Sequence, residues 1–125
     1  MRPVDQTRFG ENGNCTTACI ASLLEMPIDA VPEFGEDSDN AKLNAWLRPF
    51  GLYAVTLSGP QEANGVPWYP TGYHMLGGQT IDGPHHVIAF GSAIVHDPNP
   101  SPNHAGLVTR EDCTILVPFD PARGC

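Results

Sequence analysis

Glycine and proline interrupt this chain so often that they exclude a fold built from long helices. The 125 residues include 13 Gly and 13 Pro, and both residue types weaken or end a helix when they lie in its interior. Hydrophobic residues still make up 41% of the chain, which is enough for the core of one domain of this length. We therefore expect a single domain over residues 1–125, with short elements and many irregular connections.

Two segments in the first half of the chain have the spacing of helices. After the polar lead-in ENGN, the segment CTTACIASLLEM repeats apolar residues every three to four positions, which predicts a buried helix that begins at Cys15. Asn14 precedes it and is a preferred N-cap residue. The segment AKLNAWLRPF predicts a second helix, with Asp39 or Asn40 as its cap.

From residue 51 onward the pattern changes to short runs rich in β-branched and aromatic residues. Gly/Pro clusters separate five such runs, which are LYAVTL, YHML, HHVIAF, AIVHD and CTILVPF. These runs predict five strands. Two helices followed by strands are typical of an α+β domain in which the helices pack on one side of an antiparallel sheet. The interval from Ser58 to Gly72 is expected to be a long loop, of the kind that often serves as a functional flap.

The charge of the chain restricts its partners and its location. Six basic residues against fourteen acidic ones give a net charge of −8, and Lys42 is the only lysine, so nucleic acid and anionic membranes are not expected partners. The N-terminal sequence has no apolar export segment, and no run approaches the roughly 20 apolar residues of a membrane span. We therefore expect a cytoplasmic protein with reduced cysteines.

A reduced cysteine at a helix start is a candidate nucleophile. Free N–H groups and the positive end of the helix dipole favour the thiolate of Cys15. Attack on a carbonyl also needs an imidazole and a polar group that orients it. His85 or His86 opens a strand and Asp97 ends the next one, so these residues can supply both functions. The Gln6 amide, upstream of the thiol, is a candidate donor to the developing oxyanion.

The turn between these two strands decides which histidine meets Asp97. A strict two-residue turn at Gly91-Ser92 would place His86 directly opposite Asp97. A one-residue bulge or a three-residue turn would instead bring His85 to Asp97. In either case the alternation of side chains along a strand should point the other imidazole to the opposite face of the sheet.

The remaining cysteines and histidines have simpler interpretations. Cys19 lies one turn further along the helix, among core residues, and is expected to be a buried hydrophobic residue. Cys113 and Cys125 have no histidine nearby in the sequence, which favours a structural or incidental role. The histidines expected in loops or at the surface are His74, His96 and His104.

A zinc site is the alternative use of the histidines. His85, His86, His96 and Asp97 fall on two adjacent predicted strands and form a possible ligand set. The sequence contains no CxxC or HExxH pair, which favours a site without metal or cofactor.

Several motifs resemble the bacteriocin-leader (double-glycine) peptidases, which belong to the papain-like superfamily. GNCTTACIASLL resembles their nucleophile helix, and HHVIAFG followed by HDP resembles their histidine strand and the Asp-Pro that closes the next strand. The family pattern of His, Val two positions later and Gly six positions later matches His85, Val87 and Gly91. The runs QTRFG, GNC, ACIASLLEMPIDAVPEF and HDPNPSPNHAGL are similar to small uncharacterised bacterial and phage proteins of this type.

This resemblance implies a papain-like fold and a thiol hydrolase that cleaves a peptide or amide bond of a peptide or protein substrate. Cys15 would be the nucleophile, His85 the catalytic histidine with His86 as the alternative, and Asp97 the orienting residue. Gln6 lies nine positions before the thiol instead of the usual six, which departs from the family pattern for the oxyanion donor. The same triad would serve an acyl transferase or cyclase, and a non-catalytic binding module with this fold is the rival hypothesis. The sequence does not indicate the substrate or the oligomeric state.

Overall fold

A computed structural model describes residues 1–10, 13–58, 61–63 and 66–119 of the chain. Its helices are α1 (Cys15–Leu24) and α2 (Ala41–Leu47), and short 3-10 turns cover Ile28–Ala30, Ser38–Asn40 and Arg48–Phe50. Its strands are β1 (Leu52–Ser58), β2 (Gln61–Ala63), β3 (Val66–Trp68), β4 (Tyr73–Thr80), β5 (Gly83–Phe90), β6 (Ala93–His96) and β7 (Asp112–Pro118). Within these described residues no helix is both long enough and apolar enough to cross a membrane.

Helix α1 begins at Cys15, as the sequence predicts, and ends where Glu25 adopts a left-handed backbone conformation with φ of 57°. Asn14 occupies the N-cap position but makes no side-chain cap bond. Its Oδ1 instead accepts the backbone N–H groups of Thr7 at 3.0 Å and Arg8 at 2.9 Å. The Asn14 side chain therefore fastens the N-terminal segment to the start of α1.

The cap of α2 comes from a residue further upstream than predicted. Asn40 precedes the helix without a side-chain cap bond, and both Asp39 and Asn40 have left-handed backbone conformations. The carboxylate of Asp37 accepts the N–H groups of Lys42 at 2.6 Å and Leu43 at 2.9 Å. Asp37 therefore satisfies two of the free donors at this helix end.

The five predicted strands form one antiparallel sheet in the order β1-β7-β4-β5-β6. Helix α1 packs on β4 and β5, and α2 packs on β1, so the predicted α+β arrangement with an N-terminal helix is confirmed. The segment from Ser58 to Gly72 is not simply a loop, because β2 and β3 pair there as a separate two-stranded sheet.

Two layers of apolar side chains cover the two faces of the sheet. On the helix face, Cys19 of α1 packs with Met75 of β4 and Ile88 of β5. The core of the opposite face consists of Leu76, Val87, Ala89 and Cys113, against which Tyr69 and Leu107 pack. The helices therefore rest on one face only, and the start of α1 lies beside the first residues of β5.

The hairpin of β5 and β6 contains both features that the sequence analysis gave as alternatives, a two-residue turn and a one-residue bulge. Residues 91–92 form a two-residue turn, and a bulge follows that pairs Ile88 with His96. The bulge moves β6 by one residue relative to strict pairing. Continuing this register by one position places Asp97 on the side of the strand that carries His85.

Candidate functional site

The thiol of Cys15 lies at the start of α1, on the wall of a cleft of about 690 Å³. Its Sγ is 3.9 Å from Nδ1 of His86, and the same nitrogen is 3.2 Å from the Thr16 hydroxyl. Burial opposes ionisation of this thiol, but hydrogen bonds with the side chains of His85 and then His86 outweigh it and lower the Cys15 pKa to about 5. The thiol is therefore largely a thiolate at neutral pH.

Both imidazoles line the thiol cleft together with Cys15. Alternation along β5 places His86 on the face that Ile88 presents to α1, and His85 on the face that carries Val87. The two rings therefore leave the strand on opposite faces of the sheet, as the sequence predicts, and both border the cleft at the start of β5.

Of the two histidines that the sequence offers as partners of Asp97, His85 is the one that bonds it. Its Nε2 is 2.7 Å from Oδ1 of Asp97, and only 7% of its side chain is exposed. Burial disfavours the imidazolium, but hydrogen bonds with Asp97 and Cys15 raise the His85 pKa to about 9. For Asp97 burial is again outweighed, here by the hydrogen bonds from His85 and the Asn99 N–H, and its pKa lies below the usual value. Between about pH 5 and pH 9 a thiolate and an imidazolium therefore coexist here.

His104 belongs to this site, although the sequence predicts for it only a place in a loop or at the surface. Its Nε2 is 2.8 Å from the second carboxylate oxygen of Asp97, and its ring meets the ring of His85 edge to face with centroids 4.7 Å apart. The Asn99 amide lies 3.3 Å from its Nδ1. The proline-rich run HDPNPSPNH has no helical or strand spacing, so no signal in the sequence identified this contact.

The other two histidines expected in loops or at the surface lie on strands instead, where His74 is buried and His96 is partly buried. His74 of β4 is fully buried, and its Nδ1 is 3.0 Å from the carbonyl of Gly72. Burial lowers the pKa of His74. His96 of β6 donates from Nε2 to the carbonyl of Val4 at 2.9 Å. Both side chains tie backbone segments to the sheet, so neither contributes to the thiol cleft.

Gln6 lies in the thiol cleft with 7% of its surface exposed. Its Nε2 donates to the carbonyl of Arg8 at 2.9 Å, which leaves the second amide hydrogen available. Its Oε1 is buried without a hydrogen-bond partner among the described residues. The backbone N–H of Gln6 donates to the carbonyl of Pro98 at 2.9 Å. These contacts fix the Gln6 side chain at Arg8 and its backbone at Pro98, and the oxyanion role remains a prediction.

The other described cysteines are unsuited to attack at neutral pH. Cys19 is fully buried and Cys113 is 7% exposed. Burial raises the pKa of both thiols, and it does so strongly for Cys19. Cys125 lies outside the described residues.

The groups around Asp97 also have the composition of a metal site. Ligand atoms of His85, Asp97 and His104 lie within 4.8 Å of one another. This set differs from the predicted zinc ligands, because His96 bonds Val4 and His86 faces the thiol. Hydrogen bonds of 2.7 and 2.8 Å already join both imidazoles to the carboxylate, so the three residues satisfy one another as a hydrogen-bonded group.

The position of His104 leads to a prediction about its replacement. In His104→Ala, Asp97 loses one of its donors and holds His85 less firmly, so the acid limb of Cys15 alkylation should move upward from about pH 5. His104→Gln retains an N–H donor and should return the limb toward the wild-type position. The measurement is the rate of iodoacetamide labelling against pH, with thermal unfolding as a check on the fold. The same displaced limb in both variants would contradict a role through this hydrogen bond.

Comparison of this chain with protein-family models, with curated proteins and with solved structures finds no match. What the site does must therefore be argued from its own chemistry.

Proposed function

We propose that the chain is a papain-like thiol hydrolase that cleaves a peptide or amide bond, with Cys15, His85 and Asp97 as its catalytic triad. The observation that carries the proposal is the shared cleft that brings Cys15 at the start of α1 together with His85, whose Nε2 lies 2.7 Å from Asp97. A nucleophile at a helix start, facing a histidine on an antiparallel sheet, is the arrangement that papain-like enzymes use.

In the proposed reaction, the Cys15 thiolate attacks the carbonyl carbon and a tetrahedral oxyanion forms. The Cys15 backbone N–H and the free amide hydrogen of Gln6 are its candidate donors. Imidazolium His85 gives its proton to the leaving amine as the C–N bond breaks, which leaves a thioester on Sγ. His85 then takes a proton from water, which hydrolyses the thioester and releases the carboxylic acid. Asp97 keeps His85 oriented throughout.

His85 is the better candidate for the catalytic histidine, although His86 also contacts the thiol. Nε2 of His85 bonds the Asp97 carboxylate, so its Nδ1 is the ring nitrogen that remains for a hydrogen bond with the thiol. His86 uses Nδ1 for both the thiol and the Thr16 hydroxyl, and it has no hydrogen bond to a carboxylate among the described residues. A histidine without such a partner is less firmly oriented for proton transfer.

The pH dependence of thiol reactivity tests the proposed ion pair. Alkylation of Cys15 by iodoacetamide should rise through about pH 5 as the thiolate forms and change again near pH 9 as His85 loses its proton. At pH 6, peptide mapping should find Cys15 labelled ahead of Cys19 and Cys113, whose pKa values are raised. A single rise near pH 8.5, the ordinary thiol pKa, would contradict the proposal.

A second measurement separates the hydrolase from its alternatives. The protein is incubated with a mixed peptide library, and new amine termini are counted by mass spectrometry with Cys15→Ser as the control. A hydrolase should produce acids in the wild type only, and added hydroxylamine should divert part of the product to hydroxamates through the thioester. A transferase or cyclase would give amides without acids, whereas a binding module would give no product.

A further inference from the structure

A second cleft, of about 780 Å³, adjoins the thiol cleft. The two clefts share Gly13, Thr16 and His86 as lining residues, so a chain bound at the thiol can extend from one into the other. The apolar side chains that line the second cleft are Ile20, Phe34, Leu43 and Met75. Ile20, Leu43 and Met75 are almost fully buried and lie beneath the cleft, whereas Phe34 is partly exposed and can contact the aliphatic part of a side chain.

Three carboxylates line this second cleft, and two of them have partners. Glu33 forms an ion pair with Arg8, and Asp37 accepts two backbone N–H groups at the start of α2. Asp112, the first residue of β7, forms neither a hydrogen bond nor an ion pair through its side chain with any described residue. A partly buried carboxylate without a partner is a favourable site for a cation.

Gly77 has no side chain, so the Asp112 carboxylate and the His86 ring can lie close over its backbone. It pairs with His86 on one side and with Asp112 on the other, so the three residues lie in a row across the sheet. A Cβ on Gly77 would clash with Oδ1 of Asp112 and would lie 2.9 Å from Nε2 of His86. Since Nδ1 of the same ring faces the thiol, one imidazole separates the Asp112 carboxylate from Cys15.

We infer that Asp112 recognises a basic side chain, lysine or arginine, of the substrate bound at Cys15. The aliphatic stem of such a side chain packs on the apolar wall of the second cleft while its cationic head pairs with the carboxylate. The net charge of −8 also favours the approach of cationic substrates. This inference rests on the proposed thiol chemistry and adds the substrate class to it.

The test uses capped dipeptidyl chloromethyl ketones that alkylate the thiol with loss of chloride. The two probes of the first pair differ at the first position of the dipeptide, which is lysine in one and norleucine in the other. The two probes of the second pair differ in the same way at the second position. Norleucine is used because it has nearly the shape of lysine without its ammonium group. In one of the two pairs, the lysine probe should label the wild-type protein at least about tenfold faster than the norleucine probe, as expected for a charge-assisted contact. In Asp112→Asn this ratio should fall below about twofold.

Asp82→Asn is the matched control, because it removes the same charge from an exposed residue on the thiol cleft. It should keep the preference for lysine. Equal labelling within both pairs in the wild type would overturn the inference, and so would a preference that survives Asp112→Asn. If Asp112 instead acted on His86, Asp112→Asn would slow labelling by the lysine and norleucine probes equally. That result would also overturn the inference. If the proposed thiol chemistry itself is wrong, iodoacetamide will not label wild-type Cys15 at pH 6. This result distinguishes failure of the proposed function from failure of the inference about Asp112.

Discussion

Replacing His85 by alanine should lower the rate of Cys15 alkylation at pH 6 by up to roughly 100-fold, the limit that a thiol of ordinary pKa would reach because it is under about 1% ionised at that pH. His85 contributes the largest of the hydrogen-bond effects that bring the Cys15 pKa down to about 5. The measurement is the second-order rate with iodoacetamide, followed by mass spectrometry of the Cys15 peptide. Above pH 9 the variant and the wild type should converge, since both thiols are then ionised.

His86→Ala is the matched control, since it removes the same ring from the neighbouring position. If Cys15 became a roughly tenfold weaker acid than its pKa of about 5 implies, about half of the thiol would still be ionised at pH 6, so the rate should fall by about twofold. The opposite pattern, with a large loss in His86→Ala and a small one in His85→Ala, would transfer the catalytic role to His86. Asp97 would then have only a structural role.

Replacing Asp97 by alanine should reduce the proposed peptide cleavage by roughly three orders of magnitude, on the precedent of other triads. The hydrogen bond to Asp97 is the strongest of the effects that raise the His85 pKa to about 9. Without it, only Cys15 still favours the imidazolium against burial, so the imidazolium should lose its proton at a lower pH. The alkaline limb of Cys15 reactivity should therefore move down from about pH 9, and His104 loses its partner as well.

Asp97→Asn should retain more activity than Asp97→Ala. The asparagine oxygen can still accept a hydrogen bond from His85, and papain-like sites use asparagine in this role. The lost charge should nevertheless shift the alkaline limb in the same direction by a smaller amount. Asp82→Asn removes an equal charge from the same cleft without contact to His85 and should leave the limb unmoved. Identical pH profiles in the wild type and both Asp97 variants would remove Asp97 from the site.

The positions of the helices and strands were predictable because the signals for them are local. The apolar spacing that begins at Cys15 predicts α1, and the glycine and proline clusters after residue 51 separate the five strands of the main sheet. Each such signal lies within a few residues of the structure it predicts. Only the short β2–β3 hairpin was missed, because a three-residue strand is too short to show a period.

The partner of each polar side chain was less predictable. Asn14 has the residue type of an N-cap, yet its oxygen bonds the N–H groups of Thr7 and Arg8. The bulge near Ile88 could be named from the sequence only as one of two alternatives, because packing of the whole strand decides the register. The register in turn brings Asp97 to His85.

The sequence by itself determined the chemical groups of this protein: an acidic α+β chain with a cysteine at a helix start, two histidines opening a strand and an aspartate ending the next. Only the tertiary structure decided that both imidazoles line the thiol cleft and that His104 bonds the second oxygen of Asp97. It also decided that Asp112 lies close to Gly77 with no side-chain partner among the described residues. The physical reason is that these contacts join side chains from different elements and depend on strand register and loop path. Neither is encoded in the spacing of neighbouring residues.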